Sequence, residues 1–141
     1  MSGISKYKFV ALDSNIFIYH FENNPKFTAH TNVVFKKLID GSIYAVTSVI
    51  SVIETLSFPL PDKVVREIEE AFKTTPNLNI AELNHEIAYE AASIRRRYKS
   101  FKLPDAVQLA TALNCKAQTF ITNDKRLKVF KELPITLLTE I

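Results

Sequence analysis

Four acidic residues, Asp13, Glu54, Asp105 and Asp124, stand at positions from which carboxylate chemistry can be built. Asp13 follows the apolar run Phe9-Val10-Ala11-Leu12 and precedes Ser14-Asn15. Asp124 closes Phe120-Ile121-Thr122-Asn123-Asp124, and Asp105 follows Pro104. Each of these three also has an ordinary structural use. Asp13 and Asp124 can cap helices by accepting backbone N–H groups, and Asp105 suits the positive end of a helix. Glu54 is different, because Val49-Ile50-Ser51-Val52-Ile53-Glu54-Thr55-Leu56 reads as a helix apolar on most sides. A buried carboxylate needs a cation, a donor or water, and no Lys or Arg lies within helical reach. The alternative is a solvent-facing position on a half-buried helix.

Carboxylates gathered in one place repel and raise each other's pKa values. A hard divalent cation reverses that penalty. Mg²⁺ and Mn²⁺ take oxygen ligands, and Mg²⁺ keeps waters and few carboxylates beside a substrate phosphate. Such an ion can polarise a phosphoryl oxygen and generate hydroxide.

The elements that would bring these acids together follow from pattern. Tyr7–Leu12, Ile43–Thr47, Leu78–Ala81, Gln118–Thr122 and Ile135–Leu138 read as strands. Helices are expected after Asp13, from Pro25 to Gly41, from Ser48 to Ser57 and over Asp62–Thr74. Further helices are expected over Asn84–Phe101, Asp105–Leu113 and Asp124–Leu133. Alternating strands and helices imply an α/β fold with a mostly parallel sheet and helices on both faces. In such sheets ligands bind beyond the carboxyl ends of strands, where the strand order reverses. Asp13 and Asp124 follow strand ends and so belong to one rim.

The 141 residues suit one domain, 1–141, since no repeat, low-complexity tract or Gly/Ser linker divides them. At 47% hydrophobic and 23% charged residues, the chain has material for a core and lacks the composition of disorder. Its two glycines, Gly3 and Gly41, exclude glycine-rich phosphate loops. Cys115 stands alone, so an internal disulfide is impossible and a reducing cytoplasm is expected. No stretch reads as a signal peptide or membrane span. His20, His30 and His85 form no zinc pattern. The net charge of +3 permits a polyanionic partner.

Leu12-Asp13-Ser14-Asn15, Ser51-Val52-Ile53-Glu54, Leu103-Pro104-Asp105-Ala106-Val107-Gln108-Leu109-Ala110-Thr111-Ala112 and Phe120-Ile121-Thr122-Asn123-Asp124, in that order, resemble a PIN domain. The length and spacing resemble in particular the VapC-type toxins of prokaryotic toxin–antitoxin pairs. The resemblance implies a PIN-like three-layer sandwich, a parallel four- to five-stranded sheet between helices, often as a homodimer. It implies an Mg²⁺- or Mn²⁺-dependent endoribonuclease that leaves 5′-phosphate and 3′-hydroxyl ends, and a small antitoxin whose C-terminal segment blocks the acidic rim. Asp13, Glu54, Asp105 and Asp124 would be the acidic metal site. Ser14 or Asn15 and Thr122 or Asn123 would hydrogen-bond those acids or the scissile phosphate. Many relatives carry another acid two residues beyond the fourth, where this chain has Arg126.

Lys102 and Lys125 flank Asp105 and Asp124 in sequence and are placed to meet an RNA backbone. Arg95-Arg96-Arg97-Tyr98-Lys99 is the densest basic run, readable as a solvated helix face or as a phosphate-tracking patch. Competing readings are a non-catalytic RNA- or protein-binding domain of the same fold, and an RNA-processing nuclease outside a toxin–antitoxin system. A phosphatase of the haloacid-dehalogenase type would want a second Asp where Asn15 stands.

Overall fold

The computed structural model describes residues 3–141. The chain runs β1 (Phe9–Leu12), α1 (Ser14–Phe21), α2 (Thr28–Ile39), β2 (Tyr44–Ser48), α3 (Val49–Leu56), α4 (Asp62–Thr74), β3 (Leu78–Ala81), α5 (His85–Arg97), α6 (Leu103–Asn114), β4 (Thr119–Thr122) and β5 (Ile135–Leu137). The five strands form one sheet in the order β3-β2-β1-β4-β5. Every neighbouring pair is parallel. The fold is the α/β three-layer sandwich with helices on both faces that the alternation implies.

Register explains why the apolar runs work as strands. Ala11 pairs with Val46 and Phe120, while Leu12 pairs with Ile121 and Val10 with Ala45. Successive side chains point to opposite faces, so Ala11, Val46 and Phe120 bury against α5 and α6. Val10, Leu12, Ala45 and Ile121 bury against α1, α2 and α4. Both faces of the central strands are covered, which is why β1 is continuously apolar and the middle of β4, Phe120-Ile121, is apolar on both faces.

Helix α1 is pinned by Ile16 and Phe17, both fully buried. Phe17 meets Phe35 edge-on at 5.7 Å and Phe72 at 5.0 Å between ring centroids. Burying one such ring contributes about 2–3 kcal/mol, and here it also fixes where the start of α1 sits. Ser48 caps α3 by accepting the N–H of Ile50 at 3.1 Å. Gly41 sits at φ +78°, the left-handed conformation in which a chain leaves a helix, directly after α2.

The strands expected over Tyr7–Leu12, Gln118–Thr122 and Ile135–Leu138 are trimmed by one or two residues to Phe9–Leu12, Thr119–Thr122 and Ile135–Leu137. Three expected helices are also shorter than the sequence suggests. The second helix begins at Thr28 instead of Pro25, because the Asn24 side chain accepts the N–H groups of Lys26 and Phe27 and holds a turn there. The fifth ends at Arg97, where Tyr98 leaves helical geometry and stacks on Phe101 at 4.9 Å. The Asp124–Leu133 helix is only a 3₁₀ turn, Lys125–Val129, followed by extended Phe130, whose ring buries with those of Tyr98 and Phe101. Among the described residues no helix is long and apolar enough to cross a membrane.

Candidate active site

Strand order reverses between β1 and β4, so the crevice beyond their carboxyl ends is the place where a ligand meets an open α/β sheet. Asp13 occupies it. Its backbone N–H continues the ladder to the Ile121 carbonyl at 3.0 Å, and its side chain caps α1 through the Ser14 N–H at 2.8 Å. Thr122, ending β4, donates its hydroxyl to Asp13 Oδ2 at 2.7 Å and accepts the Asp124 N–H at 3.0 Å. Asn15 spans the same gap. Its Oδ1 accepts the Asn123 N–H at 3.3 Å, and its amide lies 3.4 Å from both Asp13 Oδ2 and Thr122 Oγ1. Asn123 donates to the Tyr19 hydroxyl at 3.2 Å.

Glu54 reaches this crevice from α3. Ser14 donates its hydroxyl to Glu54 Oε1 at 2.6 Å. The carboxylate is half-buried, so neither a fully buried nor a freely solvated Glu54 describes it. Asp105 sits in the first turn of α6, where its Oδ2 accepts the Lys102 N–H at 2.9 Å. Asp124 caps the 3₁₀ turn through the Arg126 N–H at 3.0 Å. All four acids lie along one rim, although they come from four separate segments.

Electrostatics at the rim are uneven. Burial pushes the Asp13 carboxyl up to about 6, against the bonds from Thr122 and Ser14, and the negative charges of Asp105 and Glu54 add to the rise. No ion pair among the described residues involves Asp13 or Glu54. Asp105 and Asp124 share one cation. The Arg126 guanidinium lies 2.6 Å from Asp124 Oδ2 and 3.1 Å from Asp105 Oδ2. Lys102 and Lys125 are exposed at the edge of the rim and enter no ion pair among the described residues. The basic run on α5 is partly consumed: Arg97 pairs with Glu132 and Glu90 and lies over the Tyr98 ring.

Two residues quoted within the motifs were given no role by the sequence. Gln108 and Ser51 are buried behind the rim. The Gln108 amide donates to Ser14 Oγ at 2.9 Å and to Ser51 Oγ at 2.8 Å. The available signal was a polar residue inside Ala106-Val107-Gln108-Leu109-Ala110, which only a buried partner explains.

The donor set fits a hard divalent ion. It is all oxygen, and among the described residues Glu54 Oε2 and Asp105 Oδ1 accept no hydrogen bond. Among the described residues no group of three or more Asp, Glu, His or Cys side chains is placed to hold a metal ion together. A sparse set of this kind matches Mg²⁺, which keeps several waters and takes one or two carboxylates.

The PIN domain family model matches residues 10–133, a span that includes all four acids. Among solved structures the chain resembles a toxin–antitoxin complex from Klebsiella pneumoniae at 24% identity and TM-score 0.70, covering 94% of this chain and 99% of that one. It resembles VapBC2 from Rickettsia felis bound to a DNA fragment from their promoter at 16% identity and TM-score 0.72, covering 92% and 98%. FitAcB from Neisseria gonorrhoeae aligns at 20% identity and TM-score 0.69, covering 94% and 99%. No curated protein sequence matches the chain.

Proposed function

The chain belongs to the PIN-domain family, and from that premise we propose that it is a divalent-metal-dependent endoribonuclease, the toxin of a toxin–antitoxin pair. The observation that carries this reading is the buried Asp13, raised by burial and by two neighbouring carboxylates, with no cation of its own. An isolated N-cap has no need of Glu54 and Asp105 beside it. A site for a dication does.

In this reading the ion, Mg²⁺ or Mn²⁺, draws its ligands from Asp13, Glu54, Asp105 and Asp124. When bound, it polarises a phosphoryl oxygen and lowers the pKa of water. The chain supplies positioning. Thr122 and the Ser14 N–H hold Asp13 by separate oxygens, which fixes the carboxylate plane. Ser14 holds Glu54 by one oxygen and leaves the other free. Asn15 and Asn123 tie the two strand ends together, so the rim keeps its width when a substrate enters. Lys102 and Lys125 bind the phosphates that flank the scissile bond, as positioning contacts without base readout.

The protein works as one PIN-like domain over 1–141, as a cytoplasmic homodimer. Its inhibiting partner is a small antitoxin whose segment covers the acidic rim. The similarity to a toxin–antitoxin complex from Klebsiella pneumoniae supports a partner of that class.

The test is cleavage of a defined RNA by purified protein with Mg²⁺ or Mn²⁺, with the product ends sequenced. Cuts with 5′-phosphate and 3′-hydroxyl ends are expected, abolished by chelator and reduced about 100-fold or more in Asp13→Asn. Cleavage that survives both treatments refutes the metal site. RNA binding without cleavage would instead identify a binding domain of the same fold.

A further inference from the structure

Arg126 makes more contacts at the rim than any other cationic side chain. Its Nε lies 3.1 Å from both Asp124 oxygens, and its Nη2 lies 2.6 Å from Asp124 Oδ2. The same Nη2 donates to Asp105 Oδ2 at 3.1 Å, and Nη1 donates to the Ser100 carbonyl at 3.2 Å. The guanidinium thus joins the 3₁₀ turn after β4, the first turn of α6 and the loop between α5 and α6.

The acids are not equivalent under this arrangement. Both Asp124 oxygens are occupied by Arg126. Asp105 gives one oxygen to Arg126 and Lys102 and keeps the other free. Asp13 and Glu54 receive nothing from Arg126. A planar guanidinium held by a forked carboxylate is a strong, oriented contact, and a fixed positive charge disfavours a dication beside it.

We propose that Arg126 is a built-in cation that confines the rim to a single divalent ion: Asp124 anchors it, Asp105 borders it, and the ion is left to Asp13 and Glu54. This rests on the metal-dependent reading above and narrows it, since Asp124 becomes an anchor for Arg126 instead of a ligand. A guanidinium in that place carries five N–H donors in a rigid fork. Four of the five are engaged by Asp124, Asp105 and Ser100, so one Nη1 N–H is left to meet a phosphate of the substrate.

The experiment is a Mn²⁺ titration of purified protein by calorimetry and by electron paramagnetic resonance, without RNA. The wild-type chain binds one Mn²⁺. Asp124→Asn leaves that ion within about twofold of its wild-type affinity, whereas Asp13→Asn weakens it tenfold or more. Arg126→Asp, which returns an acid to the position and frees Asp124, gains a second Mn²⁺. Arg126→Gln, which removes the charge without adding an acid, binds the single ion more tightly, and circular dichroism confirms that each variant is folded. Two ions in the wild type, or a loss in Asp124→Asn as large as in Asp13→Asn, overturns the proposal and leaves the metal reading standing. An unchanged single site in both Arg126 variants does the same. No Mn²⁺ bound by any form overturns both.

Discussion

Gln108 and Ser14 lie 94 residues apart in sequence, yet the amide of one donates to the hydroxyl of the other at 2.9 Å. That bond sets the direction of a whole buried network. The Gln108 Oε1 accepts the Ser48 N–H at 3.3 Å, which fixes which end of the amide carries hydrogens. Ser14 receives from Gln108, so its own proton goes to Glu54. Thr47 spends its proton on the Leu12 carbonyl at 2.7 Å, so Ser51, 2.6 Å away, must donate to Thr47. Gln108 therefore feeds two chains, one ending on Glu54 and the other on the backbone carbonyl next to Asp13.

Replacing Gln108 tests that direction. Gln108→Met keeps the volume but leaves the Ser48 N–H without its acceptor and Ser14 and Ser51 without their donor. A cost of about 2–3 kcal/mol is expected, since unpaired buried polar groups cost about 1–3 kcal/mol each and some relax. In a chain of this size that lowers Tm by roughly 6–10 °C. Gln108→Glu is expected to be worse still, because it removes the donors and adds a buried charge near Glu54. Thermal melts of the two variants decide it. Equal stability of the Met variant and wild type would show that the network is not directed by Gln108.

The Asp13 carboxyl gives a pH signature in metal-free protein. Its folded pKa is about 6 against an ordinary 3.8, with burial as the main cause. The folded state therefore holds a proton that the unfolded state has released. Its contribution to stability is complete below about pH 4 and is lost as pH rises through about 6. The full span corresponds to about 3 kcal/mol. Asp13→Asn has no such loss, so in chelator it gains on the wild type between pH 4 and 7. Urea melts across that range measure the difference. Added Mn²⁺ is expected to flatten the wild-type decline, because a cation favours the ionised carboxylate.

The sheet was legible because β1, β2 and β4 are apolar on both faces, and burial between two helical layers leaves little freedom for other placements. Helix α4 was legible for the opposite reason: Ile68 and Phe72 form a buried stripe on an otherwise polar surface. Ends decided by side-chain turns were harder to read. Asn24 capturing two N–H groups, and Tyr98 stacking on Phe101, are contacts that periodicity does not encode. At the rim, the acids could be picked out because Asp13 and Asp124 follow strands, Asp105 opens a helix after Pro104, and Glu54 breaks an apolar run. What spacing could not show was Arg126 turning back on Asp124 and reaching Asp105, because that depends on the short 3₁₀ turn replacing a longer helix.

Metal-linked stability separates positioning from substrate contact. An ion that binds only the folded state raises stability by about 2.7 kcal/mol at a concentration 100 times its Kd, so Mn²⁺-dependent melting reports affinity without any nuclease assay. Ser14→Ala removes the donor that orients Glu54 Oε1 at 2.6 Å. It is expected to weaken Mn²⁺ about tenfold, the usual scale for a group that orients a ligand. Glu54→Gln is expected to weaken it at least as much, because the charge itself goes. Lys125→Ala is expected to leave the Mn²⁺ shift unchanged, since Lys125 is exposed and bonds to none of the acids. It should instead raise the KM for RNA, with a steeper effect at low salt, as loss of a phosphate contact requires. If Ser14→Ala melts with the wild-type Mn²⁺ dependence, Ser14 only caps the interior. If Lys125→Ala loses that dependence, the lysine belongs to the ion's surroundings and not to the RNA's.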